Sequence, residues 1–310
     1  MILNIKKKAP KTIKTRRRNT TFYYHLLLLP GCIFIFIFHY VPMFGLVMAF
    51  QDFSLSRGVF NSPFVGLDHF RFLFTIPTFP LVIRNTIVIS LGKLIFGTLT
   101  AVAFAILLNE IRLKTLKKTI QTISYLPHFL SWVVLASVVV NLFSLDGLVN
   151  HILYSFGLER INFMGSNTWF QPLLIFTDVW KGFGYGAIIY LASITSIDPG
   201  LHESAVIDGA GKFRRIWHIT LPGMLSIILL MSVLNISGIL NAGFDQVYNL
   251  YSPMVYETGD ILDTYIYRVG LIGRQYSLGA AVGFFKSLIG MILLLATNSL
   301  AKLFTDHTIF

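Results

Sequence analysis

Charged residues are scarce in this chain of 310 residues. They make up 13% of the sequence, hydrophobic residues make up 55%, and the mean hydropathy is +0.69. Because a soluble domain carries about 25% charged residues, the composition excludes an ordinary soluble protein and indicates one that lies in a membrane. Cysteine is scarcer still: Cys32 is the one cysteine of the sequence, which excludes an intrachain disulfide framework.

Acidic residues are outnumbered by basic ones, 14 to 25, and the formal net charge is +11. The placement of the basic residues argues against a nucleic-acid partner, because eight of the 25 lie within the first 18 residues. A basic tail ahead of an apolar run is typical of the cytoplasmic end of a membrane protein. We therefore predict that residues 1–21 form a basic cytoplasmic tail.

The stretch RRRNTTFYYHLLLLPGC, residues 16–32, offers an alternative, because it has the layout of a lipoprotein signal that ends at Cys32. Pro30 is unfavourable in such a cleavage site, and the apolar run continues as far as Phe50. The apolar region of a signal peptide spans only about 7–15 residues. The longer run favours an uncleaved first membrane-spanning helix.

Six segments have the roughly 20 mostly apolar residues that a spanning helix needs. We predict the spans at 23–50, 82–108, 119–144, 172–196, 221–243 and 278–303. If the N-terminus is cytoplasmic, the inner segments, with Lys302 at the end of the last span, hold 16 of the Lys and Arg residues and the outer segments hold five. This bias predicts an all-α, multi-pass protein with both termini inside, a membrane domain at 22–303 and a cytoplasmic tail at 304–310.

Two of the predicted loops have features of their own. The outer loop 145–171 contains the amphipathic stretch LVNHILYSFGL, which predicts a short helix at the membrane interface. The inner loop reads ESAVIDGAGKFRRIWHITLP at residues 203–222. Asp198 followed by Pro199 predicts the start of a short helix over 199–208, and Gly209 predicts its end. A second short stretch leads to Pro222, so the loop is predicted to form a helical elbow.

The GAGK sequence within this elbow resembles the end of a phosphate-binding loop, but the rest of that motif is missing. The motif is G-x-x-x-x-G-K-[ST] after a strand. Here Val206 stands at the first glycine position, Phe213 stands at the hydroxyl position, and no strand is predicted before it. A nucleotide site in this chain is therefore not expected.

The elbow is similar to the EAA loop of integral membrane subunits of binding-protein-dependent ABC importers. That loop has the pattern E-A-A, three residues, G, nine residues, I-x-L-P, and 199–222 matches its spacing throughout, with Ser204 in place of Ala. The stretches FVGLDHF, YLPHFLSWVV, WKGFGY and YSLGAAVGFFKSLIG resemble the carbohydrate branch, the permeases for multiple sugars and polysaccharides. The residues that carry the elbow's match, or lie beside it, are Glu203, Ser204, Ala205, Asp208, Gly209, Ile219, Leu221 and Pro222.

The resemblance implies the six-helix fold of type I ABC importer permeases and a role in oligosaccharide import across the bacterial cell membrane. It also implies partners: a second, different permease chain, two cytoplasmic ATPase subunits that bind ATP and Mg, and an extracytoplasmic sugar-binding protein. No cofactor and no catalysis are expected in this chain itself, and its other surroundings are lipid, not nucleic acid. A secondary transporter or channel that needs no ATPase is the alternative function, and a non-transporting membrane scaffold is a weaker one.

Side chains within or beside the predicted spans that are ionisable, or of a type suited to a sugar, are candidates for the substrate path. Pairing of Asp178 with Lys181 or Lys93, aromatic packing and an interfacial belt are the structural alternatives. Aromatic rings suit the apolar face of a sugar, and amides suit its hydroxyl groups. The candidates are Lys93, Asp178, Trp180, Lys181, Tyr185, Asn235, Asn241, Phe244, Gln246 and Lys286.

Positive charge exceeds negative charge within or beside the predicted spans. There is one carboxylate, that of Asp178, against four cations, which are Arg84, Lys93, Lys181 and Lys286. Unpaired cations are costly where the dielectric constant is low, so water, the partner permease or the substrate must match the excess. The last of these options would suit an acidic oligosaccharide built with uronic acids.

Overall fold

The computed structural model describes residues 14–304, and this part of the chain is helical, with one isolated bridge between Gln51 and Phe64 and no longer strand. This confirms the predicted all-α class. Residues 1–13 and 305–310 of the two predicted tails lie outside the described residues. The α-helices are α1 Lys14–Ile35, α2 Val41–Met43, α3 Gly58–Asn61, α4 Asp68–Thr75, α5 Phe79–Asn109, α6 Lys114–Tyr125, α7 Trp132–Phe143, α8 Leu148–Ser155, α9 Phe170–Thr195, α10 Pro199–Ile207, α11 Lys212–Arg215, α12 Leu221–Ser237, α13 Phe244–Leu250, α14 Tyr256–Gly259, α15 Leu262–Tyr265 and α16 Tyr276–Phe304.

Among the described residues, five segments are long and apolar enough to cross a membrane. They are Phe22–Phe50, Phe79–Asn109, Trp132–Ser155, Lys212–Ile236 and Tyr276–Ser299. The predicted fourth span is α9, a continuous helix of 26 residues that is about 39 Å long. That length is enough to cross a hydrocarbon core of about 30 Å. Asp178 and Lys181 lower the mean hydropathy of α9, which explains why this helix is not among the five apolar segments.

The predicted third span, a single helix over 119–144, is wrong in its detail. The chain forms the amphipathic helix α6, a 3₁₀ turn at Leu126–Phe129 and then α7. Pro127 has no backbone N–H to continue a helical ladder. Ser131 is extended and accepts a hydrogen bond from Val134 N at 3.4 Å, so it caps a new helix instead of continuing the old one.

Helices α5 and α9 form the most extensive helix pair of the bundle. Their inner halves meet at small side chains, with Ala101 and Ala105 of α5 buried against Ala187 of α9, and Met224 of α12 completes the cluster. Small residues let helix backbones approach closely, which is the main source of helix association in lipid. This pair, together with α12, forms the frame on which the cavity described below is built.

The short helix predicted in the outer loop is present as α8. Its Asn150 side chain is fully buried and holds the loop together. The Asn150 amide donates to the carbonyls of Ser144 at 2.8 Å and Ile161 at 2.9 Å, and its oxygen accepts from Ile161 N at 2.8 Å. One side chain thus connects the start of α8 with the returning segment of the loop.

Replacing Asn150 with alanine is expected to loosen this loop. The variant leaves the Ile161 N–H and two carbonyls without these partners, and an unsatisfied buried group costs about 1–3 kcal/mol. Hydrogen exchange at the Ile161 amide measures the effect, and protection is expected to fall in Asn150→Ala. The neighbouring His151 is exposed, so His151→Ala is the matched control and is expected to keep protection. Equal protection in all three proteins would contradict the assignment.

Candidate functional site

The elbow predicted from the sequence is present between α9 and α12. Helix α10 begins where the Asp198 carboxylate accepts a hydrogen bond from Gly200 N at 2.9 Å. It ends where Gly209 adopts a φ of +75°, and Ala210 N then donates to Ala205 O at 2.8 Å. These two bonds form a helix start and a helix stop of the predicted kinds. Helix α11 and a π-helical turn at Ile216–Thr220 lead directly into α12.

The elbow residues singled out from the sequence lie on its outer surface or at its base. Glu203, Ser204, Asp208, Gly209 and Pro222 are exposed, and Ala205, Ile219 and Leu221 are half-buried. The Ser204 hydroxyl donates to the Gly200 carbonyl one turn earlier. Serine is therefore satisfied within its own helix, which explains how it replaces alanine here.

The elbow also exposes large apolar side chains that the sequence analysis did not single out. Ile207 is 86% exposed, Phe213 is 90% exposed and Trp217 is 69% exposed. Large apolar side chains that are this exposed on a short polar segment suit a contact with another protein. Their position within an otherwise polar and basic segment is the sequence feature that could have identified them.

A cavity of about 740 Å³ lies between α5, α9, α12 and the turn that follows α12. This volume is within the range of about 300–1,000 Å³ that is common for small-molecule sites. Its wall is largely apolar, with Phe183, Ile189 and Met231 among the lining side chains. Of the candidates for the substrate path, the wall includes Lys93, Asp178, Tyr185, Asn235 and Asn241.

Of the charged groups on this wall, the Lys93 ammonium has the most hydrogen-bonding and ion-pair partners. It lies 3.4 Å from a carboxylate oxygen of Asp178, and it donates to Ala242 O at 2.7 Å and to Gln246 Oε1. Gly243 beside it has a φ of +93°, and a Cβ at that position would lie 2.9 Å from the ammonium. The glycine turn thus leaves room for the lysine ammonium. Of the two ion pairs considered for Asp178, the one with Lys93 is formed.

The Gln246 amide lies behind the wall and supports Lys93. It is fully buried, and its nitrogen donates to Leu174 O and to Thr177 Oγ1, both at 2.8 Å. All of its hydrogen-bonding partners thus come from the protein. Thr177 was not singled out from the sequence, and no local spacing connects it with a glutamine 69 residues away.

The remaining candidates lie off the cavity wall. The Lys181 ammonium lies 5.2 Å from the centre of the Trp132 ring, and Trp180 is 40% exposed. The Lys286 ammonium bonds to Asp263 at 2.5 Å. Asp263 belongs to a predicted outer loop, so the sequence-based count of one carboxylate against four cations did not include it. The structure corrects that count, because both Lys93 and Lys286 have carboxylate partners.

A polar network fixes the segment between the last two spans against α5 and α9. The Asn85 amide donates to Glu257 O at 2.9 Å and to Asp260 O at 3.2 Å, and Gln171 donates to Thr258 O at 2.8 Å. The Asp260 carboxylate is buried and pairs with Arg268. Burial raises the pKa of Asp260, while hydrogen bonds from Thr264 and Arg268 oppose that rise. Within residues 14–304, no cluster of three or more His, Cys, Asp or Glu side chains has the arrangement to hold a metal ion.

A helical membrane bundle with a largely apolar cavity that carries a few polar groups, and with an elbow that exposes large apolar side chains, defines a transport subunit that works with partner proteins. The family model described as "Binding-protein-dependent transport system inner membrane component" matches residues 94–308. The chain belongs to this family.

Individual relatives agree with this assignment. The chain is 45% identical over 289 residues to the polygalacturonan/rhamnogalacturonan transport system permease protein YteP of Bacillus subtilis (strain 168), covering 93% of this chain and 90% of that protein. It is 40% identical over 287 residues to Protein LplB of the same organism, covering 92% and 90%. A crystal structure of a bacterial alginate ABC transporter, in complex with alginate pentasaccharide-bound periplasmic protein, contains a chain that superposes with a TM-score of 0.86 at 37% identity, covering 95% of this chain and 99% of that one.

These similarities confirm the fold class and the membrane location predicted from the sequence. The chain is a permease subunit of an ABC importer. They lend no support to the alternative of a secondary transporter or channel that works without an ATPase.

Proposed function

We propose that this chain is one half of the permease pair of an ATP-driven importer for acidic oligosaccharides. The observation that carries the proposal is the cavity of about 740 Å³, whose wall includes the amides of Asn235 and Asn241 and the ring of Tyr185, one face of which stacks on His128 at 4.0 Å. The substrate class is supported by the relatives. YteP is named for polygalacturonan and rhamnogalacturonan, and a further similar structure belongs to an importer of "the acidic polysaccharide alginate".

In this proposal the ATP is bound with Mg and hydrolysed by two cytoplasmic ATPase subunits, and this chain supplies the coupling elbow. The Lys and Arg bias supports a cytoplasmic position for the elbow. Ile207 and Phe213 supply apolar contact area, and Glu203 supplies a charge that sets the orientation of docking. Because α12 continues directly from the elbow, a movement of the elbow is transmitted to the cavity wall.

The partner permease, proposed to be a different chain, completes the path. The most apolar window of Phe22–Phe50 has only 6% of its residues buried within this chain, so lipid or another subunit covers the rest. A separate extracytoplasmic binding protein is proposed to deliver the sugar to the outer side of the pair.

Competitive uptake tests the substrate class. The full importer in proteoliposomes is expected to take up an oligogalacturonate in preference to a neutral galactose oligomer of equal length. The binding protein also selects its ligand, so its affinity for each sugar is measured separately and uptake is compared when it is saturated. Equal uptake of the two sugars at saturation would remove the acidic-substrate proposal and leave neutral sugar import.

A further inference from the structure

Aromatic rings form a continuous row that leads outward from the cavity. Phe244 and Tyr248 stack at 5.3 Å, Tyr248 lies 6.2 Å from Tyr251, and Tyr251 lies 5.1 Å from Tyr256, all measured between ring centres. The row starts directly after Gly243, which lines the cavity. It then follows the segment that joins the last two spans.

The two faces of α13 explain how the row is presented. Gln246, Val247 and Leu250 are buried in the bundle. Phe244 and Tyr248 are four residues apart, so they lie one above the other on another face of the helix. Tyr248 is 40% exposed despite its ring contacts. The helix is thus anchored by one side, and on the other it exposes Tyr248 beside the half-buried ring of Phe244.

Neighbouring side chains fix the orientation of these rings. Tyr267 packs edge-on against Phe244 at 5.6 Å and against Tyr248 at 5.0 Å, measured between ring centres. At the outer end, the Arg268 guanidinium lies over the Tyr256 ring at 4.6 Å and pairs with Asp260. Rings held in this way lose little conformational freedom when a ligand binds.

We propose that Phe244, Tyr248, Tyr251 and Tyr256 form a sugar track along which successive units of an oligosaccharide enter the cavity. The apolar C–H face of a sugar ring suits an aromatic face, and the tyrosine hydroxyls suit the sugar hydroxyls. Because Asp260 neutralises Arg268, the track binds sugar rings through their shape, not through their charge. The inference rests on the proposed function and adds a binding site outside the cavity. Packing of the same rings on the partner permease is the competing explanation.

Uptake of short and long sugars by the full importer tests the track. A disaccharide spans few of the rings, whereas a pentasaccharide contacts several at once. In Tyr248→Ala, uptake of penta-galacturonate is expected to fall by roughly three- to tenfold, the equivalent of an aromatic contact. Uptake of di-galacturonate is expected to fall much less. Tyr251→Ala, one ring further out, is expected to show the same dependence on length.

Two further variants separate the ring from its surroundings. Tyr248→Phe keeps the ring and removes only its hydroxyl, and it is expected to recover most of the lost pentasaccharide uptake. Tyr154 is 66% exposed on α8, away from the track, so Tyr154→Ala is the control and is expected to transport both sugars normally. Assembly with the second permease is followed by co-purification.

Three results would overturn the track. One is an unchanged ratio of long to short sugar uptake in both alanine variants. Another is loss of the second permease from Tyr248→Ala, which would show that the ring packs on that subunit. The third is failure of Tyr248→Phe to recover uptake, which would assign the effect to the hydroxyl and not to the ring. Uptake by the wild-type importer is measured before any variant is compared. If the wild type takes up neither sugar, the proposed function fails and the track is not the cause.

Discussion

Replacing Gly209 with valine is expected to abolish ATP-driven uptake, with a loss of more than about tenfold, while the chain still inserts and folds. Gly209 has a φ of +75°, a conformation that costs other residues about 1–2 kcal/mol and is least accessible to β-branched ones. In this conformation Gly209 N donates to Val206 O at 3.0 Å and Ala210 N donates to Ala205 O at 2.8 Å. Valine forces the turn to open, which displaces α10 from α11 and breaks the proposed ATPase contact. Uptake by proteoliposomes and co-purification of the ATPase measure the two consequences.

Gly211 provides the matched control because it lies two residues away on the same elbow. Its backbone has a φ of −67° and a ψ of 170°, which any residue adopts, and a Cβ added at this position would meet no atom within 4 Å. Gly211→Val is therefore expected to retain most of the uptake. Equal losses in both valine variants would indicate crowding at the ATPase contact and not the left-handed turn. Normal uptake in Gly209→Val would remove the elbow from the coupling mechanism.

The elbow could be predicted closely from the sequence because its determinants are local. The side chain of Asp198 reaches only as far as Gly200, and the helix stop at Gly209 uses bonds that span five residues. Caps and stops of this kind depend on residue types within one turn of the helix end. Because these signals are local, the predicted interval 199–208 differs from α10 by only one residue.

The cavity chemistry could be predicted only in part because its contacts join distant segments. Lys93, Asp178 and Asn241 were identified as candidates, since polar groups within apolar spans are costly enough to require a role. Their partners follow from the packing of the bundle: Lys93 and Gln246 are 153 residues apart, and Lys286 and Asp263 are 23 apart. No periodicity predicts such pairs. The helix break at Ser131 has a local cause, but it was not predicted because a capping residue inside an apolar run is a weak signal.

Replacing Lys93 with methionine is expected to destabilise the complex by about 3–5 kcal/mol, near the lower end of that range. Lys93 is 11% exposed and Asp178 is 35% exposed, so the orphaned carboxylate retains some contact with water. The variant also leaves Ala242 O and Gln246 Oε1 without their donor. Asp178→Asn is expected to cost less, because Lys93 keeps both of these oxygens. Thermal unfolding of the purified complex in lipid nanodiscs ranks the variants.

The double variant Lys93→Met with Asp178→Asn distinguishes a structural ion pair from one that binds the sugar. Removing both charges eliminates the uncompensated carboxylate, so a coupling energy of about 0.5–3 kcal/mol between the two sites is expected. If the pair only holds α5 against α9, the double variant regains both stability and uptake relative to Lys93→Met, and this is the result we expect. Neither partner is then needed by the sugar, and Asn235, Asn241 and Tyr185 remain as the polar and aromatic groups of the wall. A double variant that regains its stability but transports nothing would contradict this, because the charges would then act on the sugar itself as it passes.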